Sequence, residues 1–206
     1  MCREGVAADD DGLWLEFGTG TGASASIISS YRENGLLFTF DSFQGLPSDW
    51  RVCPDGTKYG KGSLTFKKPT ALPSNVKCIE GLFSETLPSF LESNSTKKVS
   101  LLHIDCDVYS STQEVLSLLQ DRIVADTVIV LDECFFYDCC ADHEAKALYE
   151  LLTEKGLSYE WLGIHGTKNA YDILAELSDD EIIGDATNRM VPFDRPCSER
   201  VALRIV

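Results

Sequence analysis

The stretch that decides the fold is Trp14-Leu15-Glu16-Phe17-Gly18-Thr19-Gly20-Thr21-Gly22, followed by Ala23-Ser24-Ala25-Ser26-Ile27-Ile28. An apolar segment ends at the glycines, and a helical pattern begins directly after them. Glycine lets the backbone turn sharply and approach a ligand with no Cβ in the way. The start of the following helix supplies free N–H groups and a partial positive charge. The stretch therefore predicts the strand, glycine turn and helix of a βαβ nucleotide-binding unit.

The glycine turn fits two kinds of cofactor. Gly18, Gly20 and Ala23 satisfy the dinucleotide pattern G-x-G-x-x-G/A. Glu16 and Gly22 extend it to E-x-G-x-G-x-G, the form that is usual in methyltransferases. A carboxylate at Glu16 would repel a pyrophosphate but attract the ammonium group of S-adenosylmethionine. The turn therefore favours the methyl donor and leaves a nicotinamide cofactor open.

Size and composition indicate one domain, residues 1–206, with enough apolar residues for a full core. The formal charge of −15 repels phosphate backbones and anionic lipid surfaces, which argues against nucleic-acid and membrane partners. No run approaches the roughly 18 consecutive apolar residues of a membrane span. The first twelve residues do not form a signal-peptide pattern, so we expect a cytoplasmic protein whose eight cysteines are reduced.

Apolar strand patterns alternate with helical patterns along most of the chain. The predicted strands cover residues 13–17, 36–40, 76–80, 99–104, 128–131, 159–164 and 200–206. The predicted helices cover residues 23–32, 85–92 and 142–155, with one more after the capping box Ser111-Thr112-Gln113-Glu114. Near-continuous apolar strands favour a Rossmann-like α/β fold, with a mostly parallel sheet covered by helices on both faces. The last two strands have no obvious helix between them, so we expect the last to be antiparallel.

The segment 48–74 has neither a helical nor a strand period and is predicted to be a surface excursion. Loops of this length inside a compact domain are often functional. Aromatic residues in this segment and after the fifth strand are candidates for lining a substrate pocket: Trp50, Tyr59, Phe135, Phe136 and Tyr137.

Acidic residues follow the carboxyl ends of the predicted parallel strands, where open α/β sheets bind their ligands. They are Glu16, Asp41, Glu80, Asp105 with Asp107, and Asp132 with Glu133. Asp41 lies about 20 residues beyond the glycine turn, where a carboxylate typically accepts ribose hydroxyls. Asp105, Asp132 and Glu133 follow neighbouring strands and are expected to converge. Because three uncompensated charges are unfavourable, either one is protonated or a cation, Mg²⁺ or Mn²⁺, lies among them.

Three further motifs resemble the macrocin O-methyltransferase family of class I, S-adenosylmethionine-dependent enzymes. They are Phe40-Asp41-Ser42-Phe43-Gln44-Gly45-Leu46-Pro47, Gly81-Leu82-Phe83-Ser84-Glu85-Thr86-Leu87-Pro88 and Leu102-His103-Ile104-Asp105-Cys106-Asp107-Val108-Tyr109-Ser110-Ser111-Thr112. The resemblance runs from Leu15 to about Ala147 and implies a seven-stranded sheet with an antiparallel last strand.

The resemblance also implies roles for individual residues. The methyl donor would be held by Glu16, Gly18, Ser24, Asp41, Ser42 and Phe83, with Gly20 in the same glycine turn. A Mg²⁺ site would fall at Asp105, Asp132 and Glu133, and Asp105 would help to deprotonate the acceptor. Many members have N-terminal helices that close the pocket. Only about a dozen residues precede the first strand in this sequence. Either the chain is a fragment that lacks the lid, or the lid would come from the segment 48–74 or from a partner subunit, which leaves a homodimer open.

The first hypothesis is therefore an S-adenosylmethionine-dependent O-methyltransferase, assisted by a divalent cation, acting on a hydroxyl of a small molecule or sugar. A nicotinamide-dependent oxidoreductase is the second. The third is a methyltransferase-like domain that binds a partner without catalysis.

Overall fold

A computed structural model describes residues 11–135, 137–164 and 200–206. Its helices and strands alternate as the sequence predicts. The strands are β1 (Leu13–Phe17), β2 (Leu37–Asp41), β3 (Val76–Glu80), β4 (Val99–Ile104), β5 (Val128–Leu131), β6 (Tyr159–Ile164) and β7 (Val201–Ile205). The helices are α1 (Ala23–Ser29), α2 (Phe83–Ser93), α3 (Tyr109–Leu119) and α4 (Glu144–Lys155).

The seven strands form one sheet in the order β3-β2-β1-β4-β5-β7-β6. Strands β1 to β5 pair in parallel, and β7 lies antiparallel between β5 and β6. This confirms the Rossmann-like sheet and its antiparallel last strand. The strand order reverses between β1 and β4, so the loops that follow these two strands diverge and leave room for a ligand.

Helices cover both faces of the sheet, as expected. Alternate residues of β1 point to opposite faces, because the side-chain period of a strand is two. Leu15 and Phe17 are fully buried in the larger core with α2, α3 and α4. Trp14 packs in a second core with Ala25 and Ile28 of α1. Each fully buried side chain of this size contributes about 1.5–3 kcal/mol of transfer free energy.

The start of α3 corrects one prediction. The capping box at Ser111 does not begin a helix: α3 starts at Tyr109, and Val108 is its N-cap without a side-chain hydrogen bond. The chain leaves β4 through Asp107, whose φ of 65° is in the left-handed region. That single turn brings the chain directly into the helix, so Ser111 already lies in the first turn of α3.

The loop between β2 and β3 folds back over the carboxyl edge of the sheet. Its regular structure within the described residues is one antiparallel bridge, between Val52 and Lys58. Trp50 packs with Val108, and its backbone N–H donates to the carbonyl of Tyr59 at 2.9 Å. The prediction of an excursion without helix or strand is therefore confirmed. No helix among the described residues is long and apolar enough to cross a membrane.

Candidate active site

A cleft of about 700 Å³ opens at the carboxyl edge of the sheet, between the glycine turn, the β2–β3 loop and the start of α3. Most of the residues proposed from the sequence line it: Gly18, Gly20, Ser24, Asp41, Ser42, Phe83, Asp105 and Glu133. Glu16 and Asp132 are not in the lining. Trp50, Arg51, Tyr59, Leu64 and Phe66 come from the segment 48–74, so the excursion does cover part of this cleft.

The glycine turn brings β1 into close contact with the end of β4. Gly18 has a φ of 97°, and a Cβ added there would overlap the carbonyl oxygen of Asp105 and lie 2.7 Å from its carbon. The Gly18 N–H donates to the carbonyl of Phe40 at 2.9 Å, while the Asp105 N–H donates to the carbonyl of Phe17 at 2.8 Å. Glycine at position 18 is therefore what allows the turn and Asp105 to share one cleft.

The end of the cleft beside the glycine turn is where the sequence predicts the methyl donor, and we call it the donor end. Asp41 is fixed there by backbone N–H groups. Its Oδ2 accepts from the Gly20 N–H at 2.9 Å, and its Oδ1 accepts from the Phe43 N–H at 2.7 Å. Each carboxylate oxygen keeps a further lone pair. The orientation of Asp41 is thus set before a ligand binds, and the free lone pairs suit a pair of hydroxyl donors.

Apolar side chains line the donor end together with Asp41. Phe83 begins α2 and packs edge-to-face on Phe17, with ring centroids 5.2 Å apart. Leu82 is exposed beside it, and Phe66 lies over Gly20, 3.7 Å from the position of an added Cβ. Apolar side chains together with a carboxylate that can accept hydrogen bonds from hydroxyls suit an adenosine group.

Glu16 does not line the cleft with the other residues predicted to hold the methyl donor. It is fully buried, on the sheet face opposite Phe17, beside its register partner His103 on β4. Its Oε1 is 3.3 Å from Nδ1 of His103, an ion-pair distance without hydrogen-bond alignment. Burial lowers the pKa of His103, but contacts with Asp132 and Glu16 outweigh this and raise it to about 10. His103 is thus a buried, charged partner of Glu16.

The predicted cation ligands divide into two overlapping groups. Asp105 lies with Asp107 and Glu133 in one group and with His103 and Asp132 in the other. Within each group the candidate ligand atoms all lie within 4.8 Å of one another. Burial, and then the charge of Asp132, raise the pKa of Asp105 to about 7. Burial and the charge of Asp105 do the same for the pKa of Asp107. Asp105 is the member common to both groups.

Asp132 is held by cations of the protein itself. Arg200 donates from both Nε and Nη2 to its two carboxylate oxygens, with Nη2 2.9 Å from Oδ2. Nε2 of His103 lies 3.8 Å from Oδ1. Burial alone would raise the pKa of Asp132, but the neighbouring His103 and the hydrogen bonds from Arg200 hold it well below the usual range. Asp132 is therefore ionised and paired.

The structure adds a carboxylate that sequence reasoning missed, Glu144 at the start of α4. It is fully buried, and its Oε2 accepts from the Glu133 N–H at 3.2 Å. Oε1 of Glu144 and Oε2 of Glu133 accept no hydrogen bond from the described residues. Burial and the charge of Glu144 raise the pKa of Glu133 to about 12. Nothing local distinguishes Glu144 from the other acidic residues of its helix, because only the packing of α4 brings it here.

These carboxylates fit a divalent cation chemically. Hard oxygen ligands are what Mg²⁺ and Mn²⁺ prefer. The buried oxygens of Glu133 and Glu144 that accept no hydrogen bond from the described part of the chain are groups that a cation would satisfy. Asp105 and Glu133 line the cleft and are available to an ion. Asp132 is available only if it exchanges its present partner, Arg200.

The aromatic candidates divide between the cleft and the core. Trp50 and Tyr59 line the cleft, 5.5 Å apart between ring centroids. Tyr137 packs behind Trp50, with Arg51 over both rings at 4.1 Å and 4.5 Å. Phe135 is buried in the core, and Phe136 lies outside the described residues. The other end of the cleft, which we call the acceptor end, therefore has aromatic and cationic side chains beside the carboxylates.

Comparisons with known proteins agree with this architecture. Residues 15–134 match the sequence profile of a family described as a methyltransferase domain. Calicheamicin methyltransferase CalS11 has a TM-score of 0.56 at 19% identity, covering 96% of this chain and 73% of its own. The O-methyltransferase NovP has a TM-score of 0.50 at 21% identity, covering 74% and 67%. These similarities to solved structures show a shared fold. A search of curated protein sequences gave no significant match.

Proposed function

Because the chain belongs to the S-adenosylmethionine-dependent methyltransferase family, we propose that it transfers the methyl group of this donor to a hydroxyl of a small molecule or sugar. The observation that carries the proposal is the cleft, which places six of the seven proposed donor residues in the same cavity as Asp105. The family also decides between the two cofactors that the glycine turn left open, in favour of the methyl donor.

The donor would bind with its ribose on Asp41 and its adenine along Leu82 and Phe83. Gly18 and Gly20 would leave space for the methionine part beside Asp105. Glu16 lies outside the cleft lining, so any role in donor binding would be indirect, through its support of β1 beneath the turn. In this arrangement the residues nearest the reacting end of the donor would be the carboxylates that follow β4 and β5.

Asp105 would take the proton of the acceptor hydroxyl. A carboxylate whose pKa is raised to about 7 can accept a proton near neutral pH, and Asp105 lines the cleft beside the donor end. The acceptor oxygen attacks the methyl carbon in line with the sulfonium, and the carbon–sulfur bond breaks. The products are a methyl ether, S-adenosylhomocysteine and a protonated Asp105. Positioning of the two substrates supplies most of the rate.

Assistance by a divalent cation is part of the proposal. Asp105 and Glu133 would hold the ion together with Asp132, and bound there it would lower the pKa of the acceptor hydroxyl. Chelation followed by addition of Mg²⁺ tests this directly. Activity that is indifferent to both treatments would remove the cation from the mechanism.

Calorimetry with S-adenosylmethionine and NAD tests which donor binds, and release of S-adenosylhomocysteine over a panel of hydroxylated compounds tests the transfer.

Asp105→Asn should lower turnover by roughly 10²–10⁴-fold, the contribution of a positioned acid or base. Glu80→Gln is the matched control, because Glu80 also ends a strand but is exposed and paired with Lys68 at 3.2 Å. Binding of NAD instead of S-adenosylmethionine would contradict the proposal. Donor binding without turnover on any acceptor would favour a binding domain. A homodimer and a cytoplasmic location stay predictions.

A further inference from the structure

Arg200 is bound to the carboxylate of Asp132, which the proposed cation site would need as a ligand. It directly precedes β7, and the pairing of Leu131 with Val201 places it beside Asp132, which follows β5. Its guanidinium spans both oxygens of Asp132, the two-point geometry that makes arginine–carboxylate pairs strong. The Arg200 side chain is 52% exposed and that of Asp132 only 10%. The guanidinium thus covers the carboxylate from the cleft side, where Arg200 is part of the lining.

Binding of a divalent ion to Asp132 is disfavoured while this pair is intact. Each oxygen of a carboxylate has lone pairs to spare, but an ion on them would lie next to a guanidinium of the same sign. His103 already lies on the other side of Oδ1. The carboxylates around Asp132 differ, since Glu133 and Glu144 each have a buried oxygen without a hydrogen bond from the described residues.

We propose that Arg200 competes with the divalent cation for Asp132, so that it sets the cation affinity of the site. In the cation-free protein the guanidinium neutralises Asp132, whose charge would otherwise be buried without a cation on its cleft side. When the ion binds at Asp105 and Glu133, Asp132 releases Arg200 and becomes the third ligand. The half-exposed guanidinium then moves into solvent, where hydration replaces its bonds. This inference rests on the cation assistance proposed above.

Titration with Mn²⁺, followed by the electron paramagnetic resonance signal of the free ion, measures the affinity without any enzyme assay. Arg200→Gln should tighten Mn²⁺ binding about tenfold, the change that corresponds to about 1.4 kcal/mol. Arg200→Lys keeps the charge but lacks the two-point fork, so it should tighten binding less. Arg204→Gln is the matched control, because Arg204 lies four residues further on, in β7, and pairs with Glu160 at the surface. It should leave the affinity unchanged. Circular dichroism confirms that each variant is folded.

A double-mutant cycle separates competition from a general effect of removing a positive charge. In the background of Asp132→Asn the Arg200→Gln change should have no effect on Mn²⁺ affinity, because there is no carboxylate to release. Equal tightening in both backgrounds would show that the guanidinium acts through its charge alone and would overturn the inference. Unchanged affinity of Arg200→Gln in the otherwise intact protein would overturn it as well.

Calorimetry with S-adenosylmethionine on the same samples distinguishes failure of this inference from failure of the proposed function. Donor binding without Mn²⁺ binding in any variant would overturn the inference and leave methyl transfer standing. Failure of the unaltered protein to bind the donor would contradict the proposed function. The Mn²⁺ affinities would still decide between competition and its absence.

Discussion

Replacing Gly18 by alanine tests the close contact between β1 and β4 on which the cleft depends. The added Cβ would overlap the carbonyl oxygen of Asp105 and approach its carbon to 2.7 Å. The obstacle is backbone and not the end of a flexible side chain, so no rotamer change can relieve it. Gly18 and Asp105 are also fixed by N–H bonds of 2.9 Å and 2.8 Å to Phe40 and Phe17. The two strand ends must therefore move apart.

The expected cost has two parts. Alanine at a φ of 97° lies in the region that costs an L-residue about 1–2 kcal/mol. Forcing an extra carbon into a closed space adds about 1–3 kcal/mol. Gly18→Ala should therefore lower the free energy of unfolding by about 2–5 kcal/mol, a large share of the 5–15 kcal/mol that is typical of a domain. Affinity for S-adenosylmethionine should fall at least about tenfold, since the displaced turn lines the donor end.

Gly62→Ala is the matched control. Its φ of 81° carries the same conformational cost, but an added Cβ there meets no atom within 4 Å. Urea unfolding and calorimetry of the two variants together isolate the contact with Asp105. Equal stability losses, or unchanged donor affinity in Gly18→Ala, would refute the reasoning from this contact.

Two other predictions concern carboxylates of the cleft. Asp41→Ala should weaken donor binding by about 10–100-fold, because a hydrogen bond to a charged group contributes roughly 1.5–3 kcal/mol. Asp49→Ala is its control in the same calorimetry, since Asp49 accepts the Lys61 N–H at 2.8 Å but lies outside the cleft lining, and an equal loss would contradict a role for Asp41 in binding. In the presence of a chelator the protein should be less stable at about pH 8 than at about pH 5.5. Burial and neighbouring negative charges raise the pKa of both Asp105 and Asp107 to about 7, so the stability from their protonated forms is present below pH 3.8 and is lost as the pH rises through about 7. A urea midpoint that rises over this interval would count against it.

Local patterns in the sequence were enough to predict the sheet and most of the cleft. The bounds of β1, β3, β4, β5 and β6 agree with the predicted strands. The signal is clearest for β1 and β4, whose residues are buried on both faces of the sheet. The carboxyl ends of parallel strands share one edge of the sheet, so residues after the central strands are brought to the same side of the domain. That is why Gly18, Asp41 and Asp105 could be assigned to one site from their positions in the chain.

The predictions used the positions of residues at strand ends but not the directions of their side chains. Glu16 and Phe17 are adjacent and therefore face opposite sides of the sheet, which places Glu16 beside His103. The period of two in β1 would have revealed this. The start of α3 was predicted wrongly for a different reason, since the left-handed turn at Asp107 has no sequence marker comparable to a capping box.

The sequence by itself determined the order of the elements, the glycine turn and the acidic edge, because these follow from hydrophobic period and from residue types at strand ends. Only the tertiary structure decided which charges neutralise one another there. Arg200 reaches Asp132 across 68 positions of the chain through the pairing of β7 with β5, and Glu144 reaches Glu133 through the packing of α4. Such contacts depend on strand register and helix placement. These are properties of the folded chain and not of any local segment, and they determine whether Asp132 is available to a cation.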